Sequence, residues 1–175
     1  MEVIRIRSGK DSFFPAFWEI YEQAFPLCER RDLGEQVRVL GDEAYALEAW
    51  TGDGGVIGFI GWWDCGDLRY VEHYAIHPSC RSHGYGSRFL KEWISQSALP
   101  VLLEIEPVTD GLTLGRQRFY HKSGFVDNTV RHLQPPYHEG DAPLELWLMS
   151  YPDTVPADAY ERFYSKLKME IMPQF

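Results

Sequence analysis

Ala75-Ile76-His77-Pro78-Ser79-Cys80-Arg81-Ser82-His83-Gly84-Tyr85-Gly86-Ser87-Arg88 is the stretch on which the fold turns. The residues before it, Leu68 to Ile76, read as a strand. Those after it place Tyr85, Phe89, Leu90, Trp93 and Ile94 on one helical face, with Ser87, Arg88, Lys91, Glu92 and Gln96 opposite. A strand therefore ends, the chain turns past an arginine, and two glycines open a helix. The first turn of a helix presents unpaired N–H groups and the positive end of the backbone dipole, which suits phosphate. Glycine at 84 and 86 lets the backbone approach without a Cβ in the way, and Arg81 adds a charge-assisted contact.

Outward from this loop the pattern is mixed. Upstream, Val3 to Arg7 alternates as a strand. A helix follows with Pro15 near its start and Phe14, Phe17, Trp18, Tyr21 and Phe25 at helical spacing; Leu33 to Leu40 forms a second, short one. Asp42 to Trp50 and Val56 to Asp64 read as strands joined by the turn Thr51-Gly52-Asp53-Gly54-Gly55. Downstream come the strand Val101–Glu106, a helix from Leu112 to Ser123 closed by Gly124, and a final strand pair, Phe125–Leu133 with Leu144–Met149. A last amphipathic helix carries Ala159, Tyr160, Phe163, Tyr164, Leu167 and Ile171 on one stripe. The fold class is α/β in the α+β sense: a mixed, mostly antiparallel sheet of about seven strands flanked by helices, with an extra C-terminal helix.

The 175 residues suit a single domain, with a core from about residue 3 to 150 and a helical extension from about 153 to 175. The N-terminus, Met1 to Arg7, alternates charged and apolar residues and lacks the apolar segment of a signal peptide. The longest apolar run, Val56 to Trp63, is too short for a membrane helix. Cys28, Cys65 and Cys80 are odd in number and widely spaced, as reduced thiols of a cytoplasmic protein are, and form neither a disulfide frame nor a zinc site.

The net charge of −9 argues against a nucleic-acid partner and leans towards a cationic substrate. Yet His73 to Lys91 and Gly111 to Val126 contain no Asp or Glu, although both carry arginine and lysine. Keeping acids out of two stretches of an acidic chain is what a polyanionic ligand requires.

A dinucleotide-binding fingerprint is the first competitor for the glycine loop. Its third glycine would fall at Phe89, and the loop follows antiparallel strands instead of opening a βαβ series. Arg81-x-x-Gly84-x-Gly86 instead resembles the pyrophosphate-binding Arg/Gln-x-x-Gly-x-Gly/Ala motif of GNAT acetyltransferases. Phe119-Tyr120-His121-Lys122-Ser123-Gly124-Phe125 resembles the segment that closes the fourth helix of that family, and the two motifs are separated by one helix and one strand.

The resemblance, over roughly residues 3 to 150, implies an N-acetyltransferase that moves acetyl from acetyl-CoA directly to a primary amine of a small molecule or peptide, without a metal. It implies a donor cleft where the fourth and fifth strands splay apart. Backbone groups of Tyr74 and Ile76 would hold the acetyl carbonyl and pantetheine. The amides of Arg81, Ser82, His83, Gly84, Tyr85, Gly86 and Ser87 would hold the pyrophosphate. It also makes Tyr120 the acid that donates to the CoA sulfur.

For the base, the residues themselves offer Glu72, placed by strand alternation between Tyr70 and Tyr74, read either as a base whose pKa apolar surroundings would raise or as a group on a wet cleft that only helps hold the amine. Glu104, Glu106 and His73 are rivals. Glu29-Arg30-Arg31 lies where the family forms an acceptor wall, read as either that wall or a solvated turn. Gln134-Pro135-Pro136-Tyr137 reads as a rigid surface loop or an acceptor lip. The competing functional class is an acyl-CoA-binding module without turnover. A homodimer is compatible with the last helix, and no membrane partner is expected.

Overall fold

The computed structural model describes residues 1–175, which divide into two compact units. The first comprises residues 1–63 and 71–90; the second comprises residues 64–70 and 91–175. Eight strands, mostly antiparallel, and five α-helices make a mixed α/β fold.

In the first unit, β1 (Glu2–Ile6) pairs antiparallel with β2 (Tyr45–Gly52), Ile4 facing Ala49. β2 turns into β3 (Gly55–Asp64), with a register shift between Trp50 and Thr51. β4 (Arg69–Ile76) lies next to β3. The strand expected from Asp42 starts only at Tyr45. The Asp42 carboxylate accepts the Ala44 N–H at 2.9 Å and its carbonyl accepts that of Tyr45, so the chain turns there first. α1 (Phe14–Ala24) buries Phe14, Phe17, Ile20 and Tyr21. Phe17 meets Phe59 of β3 edge-on, ring centroids 4.7 Å apart. After a 3-10 turn at Leu27–Glu29, α2 (Leu33–Val39) is capped by Asp32, whose carboxylate accepts the Glu35 N–H at 2.8 Å. α3 (Tyr85–Ser95) begins in this unit, and its Phe89 stacks flat on Trp50 of β2 at 4.7 Å.

In the second unit, β8 (Leu144–Tyr151) is the central strand. One side pairs with β5 (Val101–Ile105), Leu103 facing Met149. It also pairs with two short strands, β6 (Val126–Asp127) and β7 (His132–Gln134). The continuous strand expected over Phe125–Leu133 is thus broken in two, which raises the count from seven to eight. Asn128 causes the break: its amide donates to Ser150 Oγ at 2.8 Å while its Oδ1 accepts the Val155 N–H at 2.8 Å. α4 (Gly111–Lys122) starts from Asp110, which exchanges capping hydrogen bonds with Thr113. α5 (Ala157–Lys166) runs into a π-helical turn at Leu167–Ile171, and Phe163, Leu167 and Ile171 from this segment are buried with Leu102, Leu148 and Met149. No helix is long and apolar enough to cross a membrane.

Candidate active site

The glycine loop of the first unit has the backbone its sequence calls for. After a 3-10 turn at Pro78–Cys80, Ser82 and Gly84 take left-handed conformations, with φ of 64° and 79°. The first helical bond runs from the Arg88 N–H to the Gly84 carbonyl at 3.1 Å. The amides of Tyr85, Gly86 and Ser87 therefore have no partner within α3 and remain as donors of its first turn. A Cβ added at Gly84 would meet no protein atom within 4 Å, so open space lies over the loop, and glycine is required there by φ alone. Residues 81–84 are exposed and 85–87 half-buried, which suits a diphosphate that must enter from solvent.

Two hydrogen bonds tie the loop to the end of β4. The Arg81 Nε donates to the Ile76 carbonyl at 3.0 Å, a bond that does not use the two terminal nitrogens of the guanidinium. The Tyr74 hydroxyl donates to the Gly86 carbonyl at 2.6 Å. The His77 N–H donates to the Ile57 carbonyl of β3, so by antiparallel alternation the odd-numbered residues of β4 spend their main-chain groups on β3. The main-chain groups of Glu72, Tyr74 and Ile76 point to the other edge. Those three residues are half-buried while Val71, His73 and Ala75 are buried. All the expected donor-site residues, Tyr74, Ile76 and Arg81 to Ser87, thus come together in one unit.

Glu72 departs from expectation. Its side chain has no solvent exposure, but its surroundings are not apolar: Arg31 Nη1 lies 2.5 Å from Oε1 and the Trp63 indole N–H donates to Oε2 at 2.8 Å. The part of Glu72 that solvent reaches is its main chain. Burial pushes the carboxyl pKa up, but Arg31, His73 and the hydrogen bonds from Arg31 and Trp63 outweigh it and hold it below the ordinary value. The raised pKa expected of a general base is therefore corrected to a lowered one. A carboxylate kept ionised by a buried guanidinium is a poor proton acceptor, and Glu72 acts instead as the counter-ion of Arg31.

Arg31 itself, expected on an acceptor wall or a solvated turn, is fully buried, with its guanidinium 5.7 Å from the Trp63 ring. Its N–H donates to the Tyr21 hydroxyl at 3.0 Å, and burial raises the Tyr21 pKa well above its ordinary value. His73 is buried between Tyr21 and Phe25, with Nε2 3.0 Å from the Glu29 carbonyl. These contacts fasten the chain between α1 and α2 to β4. Arg30 and Arg31 stood adjacent as equals in the sequence; only the neighbouring Glu72 and Trp63, remote in the chain, distinguish them.

Tyr120 belongs to the second unit. It is 8% exposed on the last turn of α4, its ring edge-on to Phe119 at 5.1 Å and Phe125 at 5.6 Å. Burial, partly offset by Arg116, pushes its phenol up to about 12, so it holds its proton throughout the neutral range. Glu106 is paired with Arg116. Glu104 is almost wholly buried and receives hydrogen bonds from Tyr70 at 2.5 Å, from His132 and from Gln134. His132, Gln134 and Tyr160 join it in a polar cluster that no spacing in the sequence announced. Tyr137, expected on a rigid surface loop or an acceptor lip, is buried. No group of three or more His, Cys, Asp or Glu side chains lies together as a metal would need.

The model of the acetyltransferase (GNAT) domain matches residues 42–127, from β2 to β6 and through both motifs. No curated protein sequence matches the chain. Among solved structures, a GNAT-family protein from Bacteroides thetaiotaomicron is 28% identical, with a TM-score of 0.90 and full coverage of both chains. The ribosomal-protein-alanine N-acetyltransferase of Brucella melitensis shares the fold at 16% identity, with a TM-score of 0.63 over 86% of this chain and 98% of that one. So does a spermidine N-acetyltransferase from Vibrio cholerae, at 11% identity and TM-score 0.63 over 86% and 94%. Matched by the acetyltransferase (GNAT) domain model over residues 42–127, and alike over its whole length to a GNAT-family protein 28% identical to it, the chain resembles the GNAT acetyltransferases.

Proposed function

We propose that the protein transfers acetyl from acetyl-CoA directly to a primary amine of a small molecule or peptide in the cytoplasm. The observation that carries this reading is the loop at Arg81–Ser87. Its two left-handed residues and the three amides left unpaired by the first turn of α3 support a diphosphate bound there. In that reading Arg81 and the amides to Ser87 hold the pyrophosphate, while the main-chain groups of Tyr74 and Ile76 hold the pantetheine and orient the acetyl carbonyl.

Tyr120 is the group assigned to the departing sulfur. A thiol titrates near 8.5, whereas this phenol is pushed up to about 12. Full proton transfer from phenol to thiolate is then uphill by roughly 5 kcal/mol at 1.36 kcal/mol per pKa unit. Tyr120 therefore serves by donating a hydrogen bond to the negative charge that develops on sulfur, and the proton follows from the acylated nitrogen. The net charge of −9 supports a cationic acceptor.

The test is acetyl-CoA binding to the purified protein by calorimetry, beside a variant carrying Arg81→Ala and Gly84→Val. Binding in the parent and its loss in a folded variant is the expected outcome. A folded parent, free of copurified CoA, that does not bind acetyl-CoA would sink the reading.

A further inference from the structure

One tyrosine of the first unit joins the end of β4 to the start of α3. The Tyr74 hydroxyl donates to the Gly86 carbonyl at 2.6 Å. Gly86 is the second residue of α3, where a helical carbonyl already serves the N–H four residues on; its two lone pairs admit both donors. That carbonyl belongs to the same planar peptide group as the Ser87 N–H, one of the three amides that have no partner within α3. A hydrogen bond received at the oxygen of an amide draws charge from its nitrogen and strengthens the N–H as a donor. It also fixes the peptide plane, and with it the line along which the N–H points. The helix needs no second donor at Gly86, so the effect of the bond falls on the Ser87 amide.

Packing holds the phenol in place for this contact. Its ring stands edge-on to Trp50 of β2, with centroids 6.0 Å apart. Trp50 stacks flat on Phe89 of α3 at 4.7 Å, and Phe89 stacks on Tyr85 at 5.8 Å. Trp50 and Phe89 are both buried. One indole therefore orients both the strand residue that donates and the helix that accepts. The Arg81 Nε makes a comparable bond to the Ile76 carbonyl, but the N–H of that peptide, on His77, is spent on the Ile57 carbonyl at 2.8 Å. The peptide that Tyr74 polarises ends instead in an N–H of the glycine loop.

We infer that Tyr74 is a positioning residue for the donor diphosphate, acting through the Gly86–Ser87 peptide; this rests on the acetyl-CoA reading above. The main-chain groups of Tyr74 are assigned there to the pantetheine, and its hydroxyl aims the peptide that meets the diphosphate. A single residue then fixes the separation of the two contacts. A donor that lacks the diphosphate draws on the first contact and not on the second.

Tyr74→Phe tests this, because it keeps the ring against Trp50 and removes only the hydroxyl. Calorimetry is expected to show acetyl-CoA binding weakened about 3- to 10-fold. The melting temperature of the free protein should fall by no more than about 5 °C. S-acetyl-pantetheine, titrated with detection by amide NMR, is expected to bind parent and variant equally. In the same spectra the Ser87 amide proton of the free variant should move upfield. Equal binding of acetyl-CoA by parent and variant would overturn the inference and leave the transferase reading intact. So would a loss shared by S-acetyl-pantetheine, which is what a purely structural role gives. No acetyl-CoA binding in the folded parent would remove both. Should the variant not fold, a crystal structure of the parent with CoA decides the matter. A diphosphate oxygen on the Ser87 N–H, with the Tyr74 hydroxyl still on the Gly86 carbonyl, is expected; a diphosphate held without that N–H would overturn the inference.

Discussion

Arg31 and Glu72 form an ion pair at 2.5 Å in which neither side chain touches solvent. Each charge has been taken out of water, and each depends on the other for compensation. Removing one partner strands the second, so Arg31→Met and Glu72→Gln should each lower stability by about 3–5 kcal/mol. In the double variant Arg31→Met/Glu72→Leu no charge is left stranded, and it should recover a large part of that loss. Chemical denaturation of the three variants checks this; equal losses in the singles and the double would refute it.

The same pair sets the acid limb of the stability curve. Glu72 has its folded-state pKa held below the ordinary 4.5, so its ionised form stabilises the folded chain. That contribution is fully present above about 4.5 and is lost as pH falls through the lower folded value. Glu72→Gln should be less stable at neutral pH yet flatter in its acid dependence. Melting temperatures from pH 7 down to 3 would reveal either outcome.

Arg81 is exposed and makes its one fixed contact through Nε, to the Ile76 carbonyl. Arg81→Ala should leave the melting temperature of the free protein within a degree or two and weaken acetyl-CoA by about 10- to 100-fold, the worth of a hydrogen bond to a charged group. The loss should shrink when the pyrophosphate is absent from the ligand, so comparison with acetyl-pantetheine isolates the contact.

Tyr120→Phe keeps the buried ring and its contacts with Phe119 and Phe125. It should reduce kcat by about 10²-fold or more while sparing donor affinity and stability. Unchanged turnover with a good acceptor would remove the hydroxyl from the chemistry.

Gly58, in β3, allows close approach of β4: a Cβ there would come within 2.6 Å of the Ala75 carbonyl oxygen. Backbone cannot swing aside as a side chain can. Gly58→Ala should therefore cost about 1–3 kcal/mol and weaken donor binding, because the displaced segment, Ala75–Ile76, carries Arg81 on its carbonyl. Unaltered stability would show that β4 yields more freely than its contacts suggest.

The parts of this molecule legible in its sequence are those written in local pattern. The glycine loop, the helix faces and the β2–β3 turn rest on spacing within a few residues, and they fold as read. The Glu72 environment could not be read that way. Strand alternation put the carboxylate between Tyr70 and Tyr74, but its pKa is decided by Arg31 and Trp63, which arrive from elsewhere in the chain. The same holds for Glu104, whose partners Tyr70, His132 and Gln134 lie 34, 28 and 30 residues away. Asn128, which splits a strand that its neighbours would have continued, acts through Ser150 and Val155, equally remote. Polar side chains in an interior are specified by what they meet, and apolar ones by their rhythm along the chain.

Ser82 sits at φ 64°, a region that costs an L-residue about 1–2 kcal/mol. The free protein already bears this strain, so the curvature of the loop is not something a diphosphate must impose on arrival. Association should then behave as a single collision step: the observed rate climbs linearly with ligand concentration and shows no plateau from a slow rearrangement. The price of recognition was settled when the chain folded, and speed of capture is what the strained serine gives in return.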